Sequence, residues 1–295
     1  MSTTSRPGEG SRVGVVGAGV MGIGVAEECA RAGYAVTLVD VDRERLAAAG
    51  DALRRAALVD RLRDPKGEHD NWPARIDFGT DDTRLTGVSL VLENVTEDPG
   101  TKTAVHRRLD ELCPGVPVVV NTSVIPITWL AGHTEDPSRF VGVHFMNPVP
   151  AKPLVEVIRG ELTSDEHADA VLDFLRSIGK DWVPVADSPG FVSNAIFMTV
   201  INSAAELVET GVADVEGVDR VFRECFGHPM GPLESADLIG VDTVVRSLHM
   251  LQKFVDVGRY EPSVGLTRLV DEGRVGRRVG EGFYQYASGR AGARS

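Results

Sequence analysis

The stretch Val-Gly-Ala-Gly-Val-Met-Gly at 16–22 constrains this chain more than any other part of it. It follows the apolar run Arg12–Val16 and sets Gly17, Gly19 and Gly22 in G-x-G-x-x-G order, with Gly24 one turn on. In such a loop the first glycine permits a tight turn, the second lets backbone approach a pyrophosphate, and the third lets a helix pack closely on a strand. A helix starting near Val20 then aims its amide groups and positive dipole end at the phosphates. Asp40 closes the next apolar run, Ala35–Val39, 18 residues beyond Gly22. A carboxylate there accepts hydrogen bonds from ribose hydroxyls and repels a 2′-phosphate, so the expected cofactor is NAD rather than NADP.

Further short apolar runs follow at Val88–Val95, Val116–Val120, Phe140–Phe145, Leu154–Ile158 and Trp182–Val185, alternating with helix-length segments. Most are continuous rather than alternating, as strands covered on both faces are, which predicts βαβ units and a mostly parallel sheet. After Asp187-Ser188-Pro189-Gly190 the texture changes. Over Phe191–Gly211, Val215–Phe226, Asp242–Val257 and Ser263–Glu272 apolar residues recur at helical spacing, and nothing reads as a strand. The expected domains are therefore an α/β unit over 1–187, a helical unit over 188–286 and a disordered tail over 287–295.

The chain's 295 residues carry a net charge of −12, which argues against a sequence-independent nucleic-acid binder and against a polybasic membrane anchor. No apolar run approaches a membrane span and the first ten residues are polar, so a cytoplasmic protein is expected. Cys29, Cys113 and Cys225 have no metal-ligand spacing and are expected to be buried reduced thiols. Only five of the 31 basic residues are Lys, a skew that fits a GC-rich coding genome.

Three positions carry candidate chemistry. Asn121-Thr122-Ser123 follows a strand, where open α/β sheets bind ligands. His144 ends another strand with Asn147 three residues on, and Glu156 sits inside the apolar run Leu-Val-Glu-Val-Ile. A buried carboxylate needs a partner, and a histidine is a natural one. The residues alone leave open that His144 is structural, that Ser123 is a cap, and that Glu156 pairs with an arginine. His69, His106, His133, His167 and His249 read as surface or packing residues, and His228 as a loop residue bonded to backbone.

The spaced motifs VGAGVMGIG, ENVTED, NTS, VHFMNPVP, VEVIRG, DSPGFVSN, GHPMGPLESADLIG and GRRVGEGFYQY resemble those of the NAD-dependent L-3-hydroxyacyl-CoA dehydrogenases, which include 3-hydroxybutyryl-CoA dehydrogenases, from about Arg12 to Tyr286. The resemblance implies a Rossmann-type domain followed by a helical domain that forms a homodimer. It also implies that His144 is the general base toward the substrate C3 hydroxyl, that Glu156 orients its imidazole, and that Ser123 and Asn194 hydrogen-bond substrate oxygens. Met21, Asp40, Glu97, Lys102 and Asn147 match positions that contact NAD, beside Gly17, Gly19 and Gly22.

Some positions depart from that pattern. Ala52 and Val59 stand where short-chain members hold CoA with Ser and Lys, and Arg278 stands where a cofactor-contacting Lys is common. ENVTED, HFMNPVP and FRECFGHPMGPLE look most like a polyketide branch that makes extender units on an acyl carrier protein. Arg54, Arg55, Arg61, Arg63 and Lys66 form one basic cluster on an acidic chain, which suits an acidic carrier protein, a CoA phosphate or plain solvent. The expected substrate is thus a short acyl thioester, on CoA or a carrier protein. A free 3-hydroxy acid is an alternative, and a non-enzymatic NAD-binding protein is an alternative of another class.

Overall fold

A computed structural model describes residues 10–64, 70–255 and 258–286. Lys66, His69 and the 287–295 segment lie outside the described residues. The chain divides into two compact units between Ser188 and Pro189.

The first unit is built on one eight-stranded sheet. In chain order its elements are β1 (Arg12–Val16), α1 (Val20–Arg31), β2 (Ala35–Val39), α2 (Arg43–Arg63), β3 (Ile76–Gly79), β4 (Leu90–Glu93), α3 (Pro99–Leu112), β5 (Val118–Val120), α4 (Ile127–Ala131), β6 (Phe140–His144), β7 (Leu154–Arg159), α5 (Asp165–Ser177) and β8 (Asp181–Ala186). The spatial order is β3-β2-β1-β4-β5-β6-β7-β8. Every pairing is parallel except β6 with β7.

The central strands β4, β5 and β6 are buried at every residue, which is why they read as unbroken apolar runs. Helix starts are chemically marked. Asp42 accepts from the amides of Glu44 and Arg45 at the start of α2, and Asp98 from that of Thr101 at the start of α3, where Pro99 takes the first helical position. Strand β3 was not legible beforehand: it has four residues, with Asp77 exposed between Ile76 and Phe78. Strand β8 carries Pro184 opposite Val157 of β7.

The second unit contains α6 (Ser193–Glu209), α7 (Val215–Phe226), α8 (Pro232–Ile239), α9 (Val241–Phe254) and α10 (Val264–Asp271). Its described residues form isolated β-bridges but no strand. Two buried aspartates hold it together. Asp219 accepts from the amides of Leu233 and Glu234, at the start of α8, and from the Tyr284 hydroxyl. Asp237 accepts from the amides of Phe283 and Tyr284 and from the Tyr286 hydroxyl, each at 2.9 Å. A side chain at Gly231 would collide with Asp219, and one at Gly276 or Gly282 with Asp237. The glycine-rich spelling of this region thus gives two carboxylates room to collect backbone amides.

Of the cysteines, Cys29 and Cys113 are buried as expected, whereas Cys225 on the outer face of α7 is exposed. Among the described residues no helix is long and apolar enough to cross a membrane.

Candidate active site

The strand order reverses between β1 and β4, so the loops leaving their carboxyl ends diverge and open a cleft, the usual ligand position in such sheets. The cleft here holds about 490 Å³ and is lined by Gly17, Gly19, Met21, Asp40, Arg45 and Asn94 among others. That volume lies within the range of small-molecule and cofactor sites.

Each glycine of the loop does a different job. Gly17 has φ of 99°, and a Cβ on it would lie 2.6 Å from the carbonyl oxygen of Asn94. A Cβ on Gly22 would overlap the carbonyl oxygen of Gly17. A Cβ on Gly19 meets nothing within 4 Å and would stand in the open cleft. This cradle fits a dinucleotide: two glycines fold the loop and the third leaves room for phosphate. Asp40 is tied at both oxygens to its surroundings, accepting from Ala18 N at 2.7 Å and from Asp42 N at 2.9 Å. It thereby fixes the glycine loop against the end of β2 while its carboxylate lines the cleft.

Beside the cleft a chain of amides crosses the strand ends. The Asn94 side-chain oxygen accepts from the Asn121 amide at 2.8 Å, and the Asn121 oxygen accepts from Phe145 N at 3.3 Å. The residue next to Phe145 is His144. Its Nδ1 lies 2.7 Å from Glu156 Oε2, with both side chains almost fully buried. An ionised carboxylate only accepts, so Nδ1 carries the proton and Nε2 is the basic nitrogen.

Glu97 organises the loop after β5. Its Oε1 accepts from the Thr122 hydroxyl at 2.6 Å and from the amides of Ser123 and Val124 at 2.9 and 3.0 Å. Ser123 is half-buried on that loop. Asn147 is exposed and precedes a cis peptide to Pro148. The turn that follows is pinned by buried Lys180, which donates to the carbonyls of Val149 and Lys152 and pairs with Glu28 at 2.8 Å. Asn194 lies in the second unit, in the first turn of α6.

Lys102 stands apart from the other matched positions. Its side chain is fully buried, and its ammonium donates to both Glu93 oxygens, at 2.9 and 3.0 Å, and to the Asn121 carbonyl at 2.9 Å. Arg278, in the second unit, pairs with Asp242 at 2.7 Å.

Sequence reasoning passed over Glu93, Asn94 and Arg45, and read His106 as a surface or packing residue. His106 is fully buried, with Nε2 2.9 Å from Glu93 Oε2. Burial pushes the Glu93 carboxyl up, but Lys102 and His106 outweigh it and hold the group below the ordinary carboxylate range. The signal was present: Glu93 is an acid inside Leu-Val-Leu-Glu, the same pattern that singled out Glu156.

Two family models match the chain in succession: the 3-hydroxyacyl-CoA dehydrogenase NAD binding domain over residues 12–188 and the C-terminal domain of the same family over 190–286. The chain belongs to the 3-hydroxyacyl-CoA dehydrogenase family. A probable 3-hydroxybutyryl-CoA dehydrogenase of Deinococcus radiodurans is 39% identical over 280 residues, covering 93% of this chain and 100% of the relative. Among solved structures, that of Mycobacterium tuberculosis FadB2 is similar with a TM-score of 0.88 and 37% identity, covering 94% of this chain and 99% of that one. The (S)-3-hydroxybutyryl-CoA dehydrogenase PaaH1 from Ralstonia eutropha gives 0.86 and 35%, with the same coverage. This dehydrogenase is accordingly an NAD-dependent oxidoreductase, and its first unit is the family's cofactor domain.

Proposed function

We propose that the enzyme oxidises the C3 hydroxyl of a short 3-hydroxyacyl thioester, or reduces the 3-oxo form, with His144 as general base. The observation that carries this is the buried His144–Glu156 pair, joined to the wall of the cofactor cleft through Phe145, Asn121 and Asn94. NAD held in the cleft supplies the hydride acceptor. His144 Nε2 takes the hydroxyl proton as C3 loses hydride, and Glu156 across the sheet stabilises the imidazolium that forms. Ser123 and Asn194 act on the substrate oxygens, as the family resemblance implies. Gly17, Gly19, Met21, Gly22, Asp40, Glu97 and Asn147 serve the cofactor side. The same resemblance makes the working unit a homodimer, and we place it in the cytoplasm.

The thioester handle is the finer part of this reading. On the exposed side of α2, Arg54, Arg55, Arg61 and Arg63 surround the exposed Leu58, Val59 and Leu62. A basic rim around an apolar stripe suits an acidic carrier-protein helix, which favours a glyceryl group on an acyl carrier protein as the second candidate beside 3-hydroxybutyryl-CoA. Arg54 already pairs with Asp51 at 2.5 Å, so part of that charge is spent within the helix. NADH formation from 3-hydroxybutyryl-CoA against a glyceryl carrier protein decides between the handles. Turnover of neither substrate overturns the functional reading.

A further inference from the structure

Lys102 lies four positions into α3, and His106 follows one turn later on the same face. An ammonium has three donors and no more. Here three acceptors surround it at hydrogen-bonding distance, the two Glu93 oxygens and the Asn121 carbonyl, and none of its surface is exposed. That leaves no N–H for a ligand. Glu97, whose own Oε1 holds the amides of Ser123 and Val124, brings its other oxygen to 3.8 Å from the same ammonium. The peptide from Asn121 to Val124 is therefore gripped at both ends, by a cation on its first carbonyl and by an anion on its later amides.

His106 completes the arrangement from behind. Glu93 only accepts, so Nε2 of His106 is the donor, and the ring packs against Phe140 at 5.0 Å between centroids. Its Nδ1 is buried without a hydrogen-bond partner among the described residues, so a proton placed there would become a stranded donor. Glu93 and Lys102 meet as a fully buried ion pair within the interior.

We propose that Lys102, backed by Glu93 and His106, is a positioning residue that sets the loop carrying Ser123, and that it does not touch NAD. This departs from the cofactor contact that the family resemblance implies at this position. It rests on the thioester reading only for the substrate readout below.

Two measurements test it. The first uses the natural chain: reductive methylation of lysines, mapped by mass spectrometry with and without NADH. The expected result is an unmodified Lys102 in both samples. Modification of Lys102 in the cofactor-free protein overturns the proposal, and does so whichever thioester the enzyme uses. The second compares the parent with a Lys102→Met/Glu93→Gln double variant, which removes both buried charges together. We expect NADH affinity within about threefold of the parent, and kcat/KM for the thioester lower by about tenfold or more. A tenfold weaker NADH affinity, or unchanged values throughout, overturns it. If the double variant does not fold, the methylation result decides. A parent chain that turns over neither thioester refutes the substrate reading and leaves the methylation result standing.

Discussion

His144 and Glu156 face each other as directly paired residues of β6 and β7, the one antiparallel pairing in the sheet. The reversal matters to the chemistry. It brings a residue near the start of β7 level with the last residue of β6, so imidazole and carboxylate meet at the sheet's ligand end. Replacing His144 with Gln should lower kcat by a factor on the order of 10² or more while NADH affinity stays within a few fold. Steady-state kinetics and NADH fluorescence titration check this, and a variant as fast as the parent refutes the assignment of His144 as base.

The glycine loop predicts different effects on stability at two of its positions. Gly22→Ala forces a methyl into the Gly17 carbonyl, so the loop and α1 must shift and thermal stability should fall with cofactor affinity. Gly19→Ala meets no protein atom within 4 Å. Its melting temperature should stay close to that of the parent while NADH binding weakens by about tenfold or more. Melting curves and NADH titrations of the two variants separate folding of the loop from space for the ligand.

Asp40 should set the choice between the two nicotinamide cofactors. A hydrogen bond to a charged group contributes about 1.5–3 kcal/mol, so Asp40→Asn should reduce kcat/KM for NAD by roughly ten- to a hundredfold. Loss of the negative charge removes repulsion toward a 2′-phosphate, and the NAD to NADP ratio should fall further than NAD activity alone. An unchanged ratio would rule out the ribose contact.

Glu93 makes a prediction about acid stability. Its native pKa is lowered from 4.5, so its contribution is fully present above that value and is lost as pH falls through the depressed native one. Urea midpoints of the parent should therefore decline below about pH 4.5. Glu93→Gln should show a shallower acid decline but start about 3–5 kcal/mol less stable near neutrality, because Lys102 is left buried without its counter-ion.

In the second unit, Asp237→Ala strands the amides of Phe283 and Tyr284 and the hydroxyl of Tyr286. The three donors are partly buried, so each costs toward the lower end of about 1–3 kcal/mol when left without an acceptor, and a loss of about 3 kcal/mol is expected in urea unfolding. A change under 1 kcal/mol would mean that water replaces the carboxylate there.

What sequence revealed follows the periodicity of each element. Strands β1 and β2 and helix α7 begin and end where apolar spacing put them, because each has a long one-sided or fully covered face. Helix α8 escaped notice because eight residues after the Gly-His-Pro-Met-Gly-Pro turn are too few to show a period. The partner of Glu156 was readable because a buried acid demands one. Lys102 and His106 were not, since polar residues on a helix ordinarily face solvent, and only the three-dimensional packing of α3 turns them onto Glu93.

Pro184 in β8 gives the enzyme a consequence beyond catalysis. β8 is the last strand of the sheet, so one side of its backbone has no strand beside it among the described residues. A proline at its centre, opposite Val157, removes an N–H from that row, and the opposite margin of the sheet is only the four residues of β3. Neither margin offers an incoming chain a long, regular template. Central strands rich in Val, Leu and Phe are thereby flanked by margins that discourage strand-to-strand pairing with another chain.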